Sequence, residues 1–351
     1  MKEIEISNFM GISYFKNPID FPNITVIVGK NGTGKTGLLK LMYSIGKANE
    51  QYIKIKQHDN HVNYKKILSE KLYRVFQSRK SGLGDLVKKG SIDRLKAKLS
   101  SDDSVVDLSF GEATKTEVTN IQYSIDEKKK KNYIFIPAKE VLTAFNSIKA
   151  ITNIHHYPGF DETYTDLIDA LDVPTRDEQL AENFEHAKNT LIEMFGGELI
   201  QIESSDRFVF KNSNSEFAMQ LTAEGIKHVG ILTTLIKNRQ LTENTVLFMD
   251  EPETCLHPSA IREMIHLLSI LAGSNVQLFI TTHNYFVLKQ LHIIATKLQQ
   301  SILCCSLEKD DTNNDIKSTF SDLKNEFPMN SIVEEFMDMY NEEINLNLGL
   351  K

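Results

Sequence analysis

The run GKNGTGKT, Gly29 to Thr36, satisfies G-x-x-x-x-G-K-[ST]. Its glycines allow backbone N–H groups to turn inward around phosphate oxygens, and a following helix N-terminus adds partial positive charge. Lys35 would reach the terminal phosphates and Thr36 would offer its hydroxyl to a divalent cation. Gly29, Lys30, Asn31, Gly32, Thr33, Gly34, Lys35, Thr36 and Gly37 are therefore the expected nucleotide cradle, with ATP and Mg2+ as the expected ligands. A second signal is TVLFMDEPETCLHP, an apolar run ending on Asp250 and Glu251. Adjacent strand residues point to opposite sides, so two acids there can serve two purposes. Asp250 is expected, with Thr36, to hold magnesium, and Glu251 to orient an attacking water, accepting its proton or polarising it. The third is LFITTHN, a second apolar strand ending at His283. A lone histidine after a strand is a packing residue or, one strand from the acid pair, a sensor of the γ-phosphate. Lys35, Glu251 and His283 are the candidate catalytic set. His155, His156 and His257 have no partners at metal spacing and receive no role.

Strands and helices must deliver these groups. ITVIVG reads as a buried strand entering the glycine-rich loop, and the helix from near Gly34 carries Leu38, Leu39, Leu41, Met42 and Ile45 inward. KEIEIS, GISYF and NPIDFPN read as strands of a sheet edge. Residues 1–51 thus form the first part of a nucleotide-binding core, 52–100 a helical insertion, and 101–140 further core strands. A helical lobe is expected over 141–197, where Leu180, Phe184, Ala187, Leu191 and Met194 make one amphipathic face. Residues 198–351 return to the core, alternating strand and helix as in a parallel sheet covered by helices. DEKKKKNY, between two strand-like runs, reads as a solvated hairpin tip or a weak phosphate contact.

Composition narrows the classes. No apolar run approaches the roughly 18 residues of a membrane span, and MKEIEISNFM lacks the features of a signal peptide, so a cytoplasmic protein without membrane contact is expected. Three cysteines, two of them adjacent at Cys304 and Cys305, make neither a disulfide framework nor a metal spacing. A formal charge of −7 argues against broad wrapping around nucleic acid but leaves DNA possible at a local basic face.

Taken in order, IEISNFMGI, ITVIVGKNGTGKT, LTAEGIKHVG, VLFMDEPETCLHP and LFITTHNYFVLKQL resemble the ABC-type ATPases of the SMC, RecF and OLD group, and among them the stand-alone prokaryotic AAA-family ATPases with this layout. The resemblance spans nearly the whole chain. It implies an α/β P-loop NTPase fold with a mixed or parallel central sheet and an inserted, mainly helical lobe. It also implies that Ala223, Glu224 and Gly225 form the signature that touches the γ-phosphate of ATP on an opposite subunit, although the same run could be an ordinary helix start. Two departures stand out: Ala223 and Ile226 replace the usual serine and glutamine, so closure would lean on backbone groups and Lys227. Lys139 and Glu140 stand where a glutamine is usual after YIFIP.

What the resemblance implies functionally is an ATPase that dimerises, or assembles further, around ATP and regulates a separately encoded effector, a nuclease or toxin, in anti-phage defence in the manner of Septu-like ATPases. The alternative is a RecF-like DNA-binding ATPase of repair or recombination.

Overall fold

The computed structural model describes residues 1–78, 82–139, 141–153, 160–175, 179–202, 207–219, 222, 224–310, 312 and 315–348. At its centre is a six-stranded sheet ordered β14-β13-β3-β12-β11-β7, formed by Ile316–Asp322, Leu303–Lys309, Ile24–Gly29, Gln277–Thr282, Thr245–Asp250 and Asn132–Ile136. All neighbours run parallel except β13 and β14, so the sheet is mixed. Both faces are covered, which explains why β3 and β11 are apolar without alternation and buried at every position.

The pleat divides this sheet between two cores. Val26, Val28, Leu247, Met249, Leu278 and Ile280 enter one, while Ile27, Val246, Phe248 and Phe279 enter the other. The second core is closed by α1 (Lys35–Lys56), α2 (Tyr64–Phe76) and an antiparallel sheet ordered β2-β1-β4-β5-β6. Those strands are Ile12–Lys16, Glu3–Phe9, Leu95–Ser100, Ser104–Phe110 and Asn120–Ile125. The first core is closed by α3 (Phe145–Asn153), α4 (Glu162–Leu171), α5 (Glu182–Phe195), α6 (Glu224–Lys237), α7 (Pro258–Gly273) and α8 (Tyr285–Leu298). A small antiparallel sheet, β8 (Gly197–Ile202), β9 (Arg207–Asn212) and β10 (Glu216–Ala218), leans on this side. A last helix, α9 (Ser331–Asn347), buries Val333 and exposes most of its length.

Several expectations change. Residues 52–100 are not wholly helical: β4 pairs with β1 and β5, because Leu95, Ala97 and Leu99 alternate with Lys96 and Lys98 and point inward. NPIDFPN is not a strand; it is a bend that buries Phe21 edge-on against Phe279, with centroids 5.1 Å apart. DEKKKKNY is not a hairpin tip, since β6 and β7 belong to different sheets. Its Lys131 instead lies 3.5 Å from Asp103.

Candidate functional site

The cradle follows from β3 and α1. Gly29 lies at φ 154°, and a Cβ there would stand 2.3 Å from the Leu307 carbonyl oxygen, so no side chain fits. Gly32 and Gly34 take left-handed φ values of 82° and 85°, which turn the loop at little steric cost. Gly34 caps α1 without a side-chain hydrogen bond, leaving first-turn N–H groups for an anion. Two of the N–H groups of Lys35 go to the carbonyls of Gly29, at 2.8 Å, and Lys30, at 3.2 Å. The ammonium is therefore held against the loop it would serve. Burial pushes its pKa down, and the carboxylates of Glu251, Asp250 and Glu253 oppose that shift.

The acids arrive on β11. Asp250 follows Met249 and shares the parity of Phe248, so it faces α1. There its carboxylate accepts from Thr36 Oγ1 at 2.9 and 3.1 Å and from Thr281 Oγ1 at 2.6 Å. Glu251 ends the strand with a left-handed φ of 48°, and its N–H donates to the Thr281 carbonyl at 3.1 Å. Its carboxylate meets His283 Nδ1 at 2.9 Å. The structure thus brings Lys35 and Thr36, Asp250, and the Glu251–His283 pair to the C-terminal ends of β3, β11 and β12, where open parallel sheets bind ligands.

Thr36 and Asp250 form a hard-oxygen donor set of the kind Mg2+ prefers. Among the described residues no three His, Cys, Asp or Glu side chains cluster for a metal, so a cation here would draw its other ligands from nucleotide and water.

The signature run divides. Ala223 and the Glu224 side chain lie outside the described residues, as do Glu140, His155 and His156. Gly225 is buried at the first turn of α6, and a Cβ there would meet Leu256 Cδ2 at 2.6 Å. The helix start is therefore packed on the turn that follows Glu251. Lys227 was expected to help closure; it is 3 % exposed and donates to Thr143 Oγ1 at 2.9 Å. His257, given no role above, caps α7 by accepting from the Ser259 N–H at 3.3 Å.

Sequence reasoning also missed Thr281, Thr282 and Glu253. The signal was present in TTHN and in the second acid of DEPE, but their partners come from the neighbouring strand end.

Behind the cradle, α1 is tied to α4. Lys40 Nζ lies 2.8 Å from Asp161, and Tyr43 donates to Asp166 at 2.6 Å. Lys71 of α2, its side chain 1 % exposed, bridges Glu162 at 3.1 Å and Asp166 at 3.0 Å. Burial pushes Glu162 up, against the pull of Lys71.

Comparison with known proteins accords with this arrangement. Residues 24–289 match the family described as "AAA domain, putative AbiEii toxin, Type IV TA system". The SMC head bound to the C-winged helix domain of ScpA superposes with a TM-score of 0.54, 13 % identity, and coverage of 92 % of this chain and 98 % of that one. The Smc head with an extended coiled coil, bound to the C-terminal domain of ScpA derived from Pyrococcus furiosus, gives 0.51 and 11 %, covering 97 % and 98 %. The Old nuclease of Escherichia phage P2 is 45 % identical over 49 residues, which are 14 % of this chain and only 8 % of the nuclease. Motif order, strand-end site and family match converge: the chain belongs to the AAA-domain family described as putative AbiEii toxin, Type IV TA system, and is an SMC/RecF/OLD-like ABC-type ATPase in fold.

Proposed function

We propose that the protein binds and hydrolyses ATP, closing a dimer around the nucleotide, and that this cycle regulates a separately encoded effector. The observation that carries the reading is the convergence of Lys35, Thr36, Asp250, Glu251 and His283 at adjoining strand ends. The cradle and α1 N-terminus would hold the phosphates, and Lys35 would leave its carbonyls for phosphate oxygens. Thr36 and Asp250 would hold Mg2+, whose chemistry is to neutralise phosphate charge. Glu251 would accept the proton of the attacking water, and His283, half exposed and bonded to Glu251, would sense the γ-phosphate while steering that carboxylate.

Gly225 and the turn from Glu251 to Leu256 form one packed surface, so the signature and that turn would meet a partner's nucleotide together. A protein partner is supported by the ScpA-bound SMC heads, and the partner proposed is a nuclease or toxin of the anti-phage kind. A protein partner is favoured over DNA because several lysines around the exposed sheet are paired with acids: Lys16 with Glu3 and Glu5, Lys2 with Asp102, Lys89 with Asp85 and Glu112. Such a mixed face offers little to a phosphate backbone. Contacts to the effector are assigned to the helical lobe of 141–197, which Lys40 and Tyr43 connect to the nucleotide helix.

The test is the mass of Glu251→Gln protein by light scattering with and without magnesium-ATP, alongside phosphate release by the unaltered protein. A dimer that appears only with ATP, and measurable release, uphold the proposal; a monomer at saturating ATP removes the sandwich, and absent release removes the hydrolase.

A further inference from the structure

We infer that Glu253 is a positioning residue for hydrolysis: by accepting the hydroxyl hydrogen of Thr282 it fixes the turn that sets His283 against Glu251. The inference rests on the roles assigned to Glu251 and His283 above.

The geometry begins where β11 stops. The left-handed Glu251 reverses the chain, and its carbonyl accepts from the Thr254 N–H at 3.1 Å and the Thr254 hydroxyl at 2.8 Å. This tight turn folds Glu253 back beneath the strand end, where it is 6 % exposed. One carboxyl oxygen takes the hydrogen of Thr282, itself fully buried. The Thr282 oxygen then accepts from the Asn284 N–H at 2.9 Å, and Asn284 caps α8 through the Phe286 N–H at 2.8 Å. His283 lies between the two residues so pinned. Its own side chain is half exposed and bonded to Glu251, so its position is set by backbone rather than by surrounding packing.

Among the described residues the other carboxyl oxygen of Glu253 is buried without a hydrogen-bond partner. Such an oxygen is costly to bury, and a position that served stability alone would be better filled by an apolar side chain. Burial pushes the acid toward its neutral form, which still offers the acceptor that Thr282 uses.

The test compares ATPase kinetics and the binding of a fluorescent ATP analogue for Glu253→Ala, Glu253→Gln, Thr282→Val and Thr282→Ser. Glu253→Ala and Thr282→Val should each lower kcat about ten-fold or more, with KM and analogue affinity held within about two-fold. Gln and Ser, which keep acceptor and donor, should restore at least about half of kcat. The Ala/Val double variant should be no worse than its worse parent, because both break one link. Thr282→Val, nearly isosteric, carries the test if Glu253→Ala fails to fold. Unchanged kcat in Thr282→Val, an equal loss of analogue binding, or Gln as poor as Ala overturns the inference. If His283→Ala is impaired while Thr282→Val is not, only this inference falls; if neither His283→Ala nor Glu251→Gln slows hydrolysis, the underlying assignment falls instead.

Discussion

The strand-end cluster and the start of α6 carry glycines and polar residues of similar appearance in the sequence, yet they use them differently. At the strand ends, glycine serves the backbone: Gly32 and Gly34 take left-handed φ values that turn the loop, Gly29 lets it pass close to the Leu307 carbonyl, and Asp250 is held by two threonine hydroxyls. At α6, the room left by Gly225 is filled by Leu256 of the same chain, and Lys227 is spent on Thr143. A glycine in a signature-like run is thus explained first by packing within the subunit. Any contact with another subunit must come from what remains of that surface.

The largest effect expected on the first region is from Glu251→Gln, which should slow phosphate release by about 10²–10⁴-fold while leaving thermal unfolding nearly unchanged. A large drop in Tm would mean that the acid is structural and would erase the contrast. Next, Lys71→Met leaves Glu162 and Asp166 without their buried cation and should cost about 3–5 kcal/mol in denaturant unfolding. A loss under about 1 kcal/mol would show that the lobe is held mainly by apolar contacts. Gly225→Ala should cost at most about 1 kcal/mol, because the methyl meets the movable end of the Leu256 side chain, and Leu256→Ala in the same chain should recover it. Unchanged stability with lost ATP-driven assembly would move the glycine's role to the subunit boundary.

The smallest effect concerns pH. Burial raises Glu253 in the folded state, so the native protein holds this proton more tightly than the unfolded chain. Its contribution to stability therefore declines as pH rises from about 4.3, where a free glutamate titrates, up to the raised folded value. Glu253→Gln should gain on the unaltered protein across that window and keep the gain above it. Melts in nucleotide-free buffer at several pH values would show it, and a gain that shrinks with rising pH would refute it.

What was legible in the sequence follows the same division. The cradle is local: a strand, a glycine spacing and a helix lie within one stretch, and each constrains the others. The acid pair was legible because TVLFMD is buried on both faces and must end where the polarity changes. The sheet β8–β10 was not, because its strands are short and it follows a strongly helical pattern; β14 was hidden by the polar alternation of IKSTFSD. The hairpin expected around Lys128–Lys131 failed for a topological reason, since neighbours in sequence here part into different sheets. Glu253 was invisible because its meaning depends on Thr282, delivered by the adjacent strand.

The three cysteines have a practical consequence. Cys304 and Cys305 sit back to back on β13, one in each core, and burial pushes both thiols up, Cys304 to about 12. Neither offers a thiolate to an alkylating reagent near neutral pH. Cys255 is exposed in the turn after Glu251, beside the start of α6. A maleimide dye would therefore mark that one place in the native chain, and with no tryptophan present its emission would report nucleotide-driven closure without competing indole fluorescence.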